Sequence, residues 1–199
     1  LPQLPTLIDA DINLQLRGGN IQRFQGLTNA LALPLSPFSA ELTMRGNGSG
    51  NPDTLKGEFV VGLVKGSFFG RLSEHTDYID STLDYSLTSP GVDTLVDLFG
   101  ITLAKSDPLM AEGSIEFQKT GMQLKDLTVK IGDNEIRASG LIPSENTSKP
   151  IKINIRSSGP SFRGLMSYYF PMPFGPSKKF DLRGDLELRP DGMLVANNN

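Results

Sequence analysis

The 199 residues contain no cysteine, which excludes a disulfide framework and any thiolate metal site. That absence suits an oxidising compartment such as a periplasm, and equally suits many cytosolic proteins. No apolar run approaches the ~18 residues of a membrane-crossing helix. The opening LPQLPTL lacks a basic n-region and an apolar h-region, so no targeting signal is visible. A chain that opens on Leu-Pro and closes on three asparagines reads as a section of something longer, with anchors or signals outside it. A concentrated basic face is missing too. Nineteen Lys and Arg stand against 22 Asp and Glu, for a net charge of −3, and both signs are interleaved, which argues against a nucleic-acid partner.

Catalytic constellations are equally scarce. The single histidine, His75, has Glu74, Asp77 and Asp80 nearby, a conceivable metal or acid–base grouping. It reads better as a polar turn between strands. Asp93 and Asp97, four apart, can share a helix face, and without a third ligand they are a solvated edge. Asp181, Asp185 and Glu187 share the polar parity of one strand and are expected on its wet face. No serine sits in a G-x-S-x-G elbow. The run Gly46-Asn47-Gly48-Ser49-Gly50 lacks the Lys and following helix of a phosphate cradle. Asn47-Gly-Ser and Asn146-Thr-Ser match the glycosylation acceptor pattern, which chance often produces. The expectation is a protein without catalytic residues, metal or cofactor, and therefore not an enzyme.

What is present is strand and turn. Gly (21) and Pro (14) are abundant, which suits many short strands better than long helices. The clearest stretch is LKDLTVKIGDNEIRASGL, Leu124 to Leu141. Leu127, Val129 and Ile131 alternate with Thr128 and Lys130, Gly132-Asp133-Asn134 interrupts, and Ile136, Ala138 and Gly140 then alternate with Glu135, Arg137 and Ser139. This is an antiparallel hairpin with one apolar face. Lys125-Asp126 puts two residues in the place of one, so a β-bulge there keeps Met122 and Leu124 on the face of Leu127.

Similar period-2 segments run along the chain: Ile12, Leu14 and Leu16; Leu42 and Met44; Phe59, Val61 and Leu63; Ile79, Leu83, Tyr85 and Leu87; Ile115 and Phe117; Ile151, Ile153 and Ile155; Phe180, Leu182, Leu186 and Leu188. Most have polar residues on the other parity, so the sheet has one wet side. Glu58 to Leu72 is the exception, since Val60, Val64, Phe68 and Phe69 make both faces apolar there.

DINLQLRGGNIQRFQGL, TLDYSLTSPGVDTLVDLFG and IKINIRSSGPSFRGLMSYYF share one order: strand, break, then a short apolar segment at helical spacing. Val92, Leu95, Leu98 and Phe99 fall on one side of a helical wheel, as do Phe162, Leu165, Met166 and Tyr169. Pro90 and Pro160 sit where these helices would begin, and a Pro-containing loop and a new strand follow each one. The spacing is about 70 residues, giving repeats of about 11–75, 78–145 and a partial 150–192 within one continuous β segment.

The expected fold is therefore all-β with minor short helices: a long, twisted antiparallel sheet built from these repeats and curled into an apolar groove. Its lining is the inward parity, Leu83, Tyr85, Leu87, Ile115, Phe117, Leu124, Val129, Ile131, Ile136, Ile153 and Ile155. The alternative is a structural or adhesive β-sandwich-type module, in which the same residues form a closed core and loops do the binding. YYFPMPFGP, Tyr168 to Pro176, is the most apolar irregular stretch, either folded over the end of the groove or in contact with a membrane or partner.

The hairpin LKDLTVKIGDNEIRASGLI resembles the recurrent signature of the AsmA-like family: a leucine-rich strand, a Gly-Asp/Asn turn, and a strand ending near a small residue and Gly. The layout of TLDYSLTSPGVDTLVDLFGITLAKSDPLMAEGSIEF is also similar to that family. Its members are periplasmic proteins of Gram-negative bacteria, usually anchored in the inner membrane by one N-terminal helix. Their repeats build a long β-groove like that of eukaryotic bridge-like lipid-transfer proteins. The resemblance implies a section of such a bridge, with phospholipid acyl chains as its partner and phospholipid transport toward the outer membrane as its role. Further repeats or an inner-membrane anchor would lie outside these residues.

Overall fold

The structure is a computed structural model that describes residues 11–22, 36–46, 53–73, 79–96, 103, 105–144, 150–168, 170, 174–188 and 194–197. Eleven strands follow one another in a single antiparallel sheet, each hydrogen-bonded to its neighbours in sequence. They are β1 (Asp11–Gly18), β2 (Phe38–Arg45), β3 (Asp53–Val61), β4 (Val64–Leu72), β5 (Thr82–Ser89), β6 (Leu109–Gln118), β7 (Gly121–Ile131), β8 (Asn134–Pro143), β9 (Ile151–Gly159), β10 (Phe180–Leu188) and β11 (Leu194–Asn197). Helix α1 (Val92–Val96) joins β5 to β6, and α2 (Phe162–Met166) joins β9 to β10. The sheet curls without closing into a barrel. Ten strand pairings at ~4.8 Å give it a contour of roughly 48 Å measured along the curl. Strands β1, β5 and β9 begin at Asp11, Thr82 and Ile151, about 70 residues apart each time.

The hairpins follow from local chemistry. Ile131 pairs with Asn134 across a two-residue turn, Gly132-Asp133, with Gly132 at φ 55°. Val61 pairs with Val64 across Gly62-Leu63, with Gly62 at φ 59°. The left-handed region that these tight turns require is open to glycine without a Cβ penalty. Leu63 is therefore a turn residue, 65% exposed, and does not continue the β3 alternation. Ile79 likewise lies in the turn before β5, where Asp80 takes φ 67°. The bulge read at Lys125-Asp126 is present: the β7–β8 register shifts between Leu124 and Leu127, and both leucines stay on the same face.

The helices lie over the apolar face at one end of the strands. Val92 of α1 and Leu165 of α2 join Tyr168, Leu109, Ile131 and Phe180 in one buried cluster. Leu87, Leu103, Ala111, Val129, Phe162 and Met166 pack against it. Ser161 caps α2, its Oγ accepting from the Gly164 N–H at 3.1 Å, so Pro160 precedes the cap and is not the first helical residue. The residue anchoring α2 is Tyr168, 2% exposed. The sequence-based choice, Tyr169, lies outside the described residues, as do Leu98 and Phe99.

Candidate functional site

Because directly paired residues in an antiparallel sheet project to the same face, the registers decide what shares a surface. Leu83 pairs with Ile115, which pairs with Leu124, then Gly140 and Ile153. Leu87 leads through Ala111 and Val129 to Ile136. Leu109 pairs with Ile131, Phe117 with Met122, Tyr85 with Gly113, and Ala138 with Ile155. All eleven residues expected to line a groove lie on one face.

That face divides into two parts. Ile131 is buried beneath the helices, and Leu87 and Val129 pack at the margin of the same cluster. These three belong to the helix–sheet core and are not open lining. Leu124 is also buried, at mid-strand between Ile115 and Gly140. Leu83, Tyr85, Ile115, Phe117, Ile136, Ile153 and Ile155 keep partial exposure. The apolar face also extends beyond the expected lining. Ile12, Leu14 and Leu16 of β1 are 40–45% exposed, and Met122, Leu182 and Leu188 are exposed as well. The β1 residues carried the same alternation as the others, so their parity was the available signal.

Five aromatic residues on this face stand directly opposite a glycine: Phe38–Gly18, Phe68–Gly57, Phe59–Gly66, Tyr85–Gly113 and Phe180–Gly159. In each pair a Cβ added to the glycine would collide with the aromatic side chain. The side chain thus lies across its neighbour's backbone, where it shields the strand and leaves the space above the sheet free.

The opposite face is cross-linked and mostly polar. Val60, Phe69 and Met110 also lie on it, so the β3–β4 hairpin is apolar on both sides, as its sequence indicated. Arg156 makes two hydrogen bonds to Asp181, Nε–Oδ1 at 3.0 Å and Nη2–Oδ2 at 2.6 Å. This guanidinium holds the Asp181 carboxyl below the usual carboxylate range. The Asn154 amide donates to Asp185 Oδ1 at 2.8 Å, Lys152 approaches Glu187 at 3.8 Å, and Arg45 meets Asp11 at 3.1 Å. Two shallow depressions of about 530 Å³ each open on this polar face, one beside Glu58, Asp84, Glu112 and Asp126, the other beside Gln123, Asn154 and Asp185. Among the described residues no group of three or more His, Cys, Asp or Glu converges as a metal site. His75, Glu74, Asp77, Asp97 and Asn47 to Gly50 lie outside the described residues. The Asp93 carboxylate, lowered first by the Ser106 hydroxyl and then by the Thr94 N–H, satisfies the first turn of α1.

One polar node crosses the helix-covered end. Tyr168 Oη donates to Asp107 Oδ2 at 2.5 Å, and Lys105 Nζ reaches the same oxygen at 2.5 Å and lies 5.1 Å from the Tyr168 ring centre. Lys105 first, and Tyr168 second, hold the Asp107 carboxyl low, while burial and Asp107 raise the phenol above the tyrosine range. The node ties α2 to the segment entering β6, whose Pro108 carbonyl accepts from the Gly132 N–H at 3.0 Å.

In geometry this is an open β-sheet with one wet face and one apolar face, partly roofed by short helices. No protein-family model, curated protein or solved structure matches the chain.

Proposed function

We propose that this chain binds phospholipid acyl chains along the unroofed part of its apolar face and shields them from water, without catalysis. The observation that carries the reading is the continuity of apolar parity from β1 to β10 while Ile12, Leu14, Leu16, Leu182 and Leu188 remain exposed. An apolar face of this extent needs a cover. Among the described residues the two helices supply one near Leu87, Val129 and Ile131. An acyl chain leaving a bilayer loses about 0.8 kcal/mol per CH₂ exposed to water. An apolar track removes most of that barrier while the headgroup stays hydrated. With the AsmA-like resemblance, the setting is the Gram-negative periplasm, with lipid passing between inner and outer membranes and the section tethered to the inner membrane by a segment outside these residues.

The adhesive or structural reading keeps one supporting observation, the closed cluster beneath α1 and α2. The deciding experiment is solvent extraction and mass spectrometry of purified protein beside Ile153→Asp and Ile155→Asp. Ile131→Asp is the wrong probe because it strikes the roofed core. Stoichiometric phospholipid in the wild type, lost in variants that remain folded, supports the lipid track. A wild type that is lipid-free and resists loading, with both variants unfolding, sinks it in favour of a closed module.

A further inference from the structure

From Asn146 to Phe180 the chain holds six Lys or Arg residues and not one Asp or Glu, in a protein of net charge −3. Part of this acid-free stretch is an outward-facing structure built around α2. Phe170 and Phe174 are 45% and 56% exposed, with ring centres 5.4 Å apart. They are mounted firmly. The Phe170 N–H donates to the Met166 carbonyl at 3.0 Å, and Arg163 Nε donates to the Gly175 carbonyl at 2.9 Å. The Phe162 and Arg163 N–H groups donate to the carbonyls of Lys178 and Pro176 at 3.3 and 3.1 Å. Beneath them Leu165 and Tyr168 are sunk in the core cluster. Apart from the contact between the two rings, an aromatic pair held out into water by a buried base leaves apolar surface exposed.

Charge identifies the occupant. Arg163, Lys178 and Lys179 are all exposed, and none forms an ion pair among the described residues. Elsewhere on the sheet Arg45, Arg137, Arg156 and Arg183 each face a carboxylate, and Arg71 lies over the Phe69 ring. Exposed rings flanked by unpaired cations match the two layers of an anionic lipid surface. The rings suit the boundary between headgroups and acyl chains, and the cations suit the phosphates. An uncharged or basic protein surface would satisfy the rings alone.

We infer that Phe170 and Phe174, with Arg163, Lys178 and Lys179, form a docking surface for a bilayer rich in anionic headgroups. The inference stands apart from what the apolar sheet face carries. Lipid cargo lies on the sheet, whereas this surface holds the protein against a membrane.

The test is co-sedimentation of the full chain with vesicles of phosphatidylethanolamine and phosphatidylglycerol, and with vesicles of phosphatidylcholine alone. Wild type is expected to pellet with the anionic vesicles, to bind phosphatidylcholine much more weakly, and to be released by added salt. Lys178→Glu with Lys179→Glu is expected to weaken anionic binding by about tenfold or more. Phe170→Ser with Phe174→Ser is expected to weaken it as well, even at low salt. All four side chains are exposed, so circular dichroism should match wild type in both variants. Equal binding to both vesicle types overturns the inference, as does unchanged anionic binding in the charge-reversed variant. Failure of wild type to bind either vesicle at low salt also overturns it and assigns the patch to a protein partner.

Discussion

The two ends of the apolar face begin from the same sequence pattern and reach different outcomes. At the end of β5 to β10 that carries Leu109, Ile131 and Phe180, two five-residue helices close the face into a core. Along β1, where Ile12, Leu14 and Leu16 alternate just as cleanly, the same parity is 40–45% exposed. Alternation therefore fixes which face a residue joins, and the placement of a helix decides whether that face is core or surface. At the helix-covered end, burial of a strand residue is a property of the connection that crosses above it, whereas Met44, Val64 and Leu124 are buried outside that cluster.

The sharpest way to break this comparison is to place a carboxylate in each part. Ile131→Asp buries a charge among Val92, Leu165 and Tyr168 with no partner, and is expected to cost about 4 kcal/mol or more, enough to unfold a marginally stable sheet. Leu14→Asp places the same charge on exposed β1 and is expected to cost less than about 1 kcal/mol. Urea unfolding measures both. Equal losses would mean that β1 is covered as fully as the helix-roofed end, and the distinction between core and open face would fail.

A smaller effect tests the aromatic–glycine pairs. Phe180 lies against Gly159 within the roofed cluster, where Asn134 Oδ1 crowds the same position. Gly159→Ala must therefore displace packed atoms, at an expected cost of about 1–3 kcal/mol. Phe59 lies against Gly66 on the partly exposed β3–β4 hairpin. There the ring of a Gly66→Ala variant can stand up into open space, with a loss of about 1 kcal/mol or less. On the lipid-track reading this raised ring also reduces bound phospholipid. If the two alanines cost the same, the rings of both parts are equally confined.

Much of this arrangement was legible in the chain. The one-sided parity, the bulge at Lys125-Asp126 and the Gly132-Asp133 turn each depend on a residue's nearest neighbours, so alternation and turn chemistry reveal them. The Gly62-Leu63 turn was concealed because apolar residues continue through it, and Leu63 fits the alternation it interrupts. Tyr168 was not picked out because a five-residue helix offers barely more than one turn of periodicity, and the Ser161 cap sets its phase. Ile131 was assigned to an open groove because nothing local to β7 records that α2, some thirty residues later, packs over it. Long-range placement is the part that alternation does not encode.

The node at the roof offers the finest measurement. Tyr168→Phe removes the hydroxyl that donates to Asp107 and keeps the ring in the core, so a loss of about 1 kcal/mol near neutral pH is expected. The pH dependence gives the signature. Asp107 has its folded-state pKa lowered, first by Lys105 and then by Tyr168. Its contribution is therefore present above the ordinary carboxylate range and lost as pH falls through that range toward the folded value. Tyr168 has its pKa raised, chiefly by burial and then by Asp107. Its contribution is whole below the ordinary tyrosine pKa and declines as pH rises beyond it. Wild type should thus lose stability at both extremes. Tyr168→Phe should have a shallower alkaline slope, its remainder coming from Tyr85, which burial also raises. It should keep the acid slope due to Lys105 and to the lowered Asp93, Glu116 and Asp181. Leu14→Asp, on the open face, should leave the alkaline slope unchanged. Thermal unfolding across the pH range reads both slopes. An alkaline slope as steep in Tyr168→Phe as in wild type would remove this tyrosine as a source of it and leave its hydroxyl incidental to the roof.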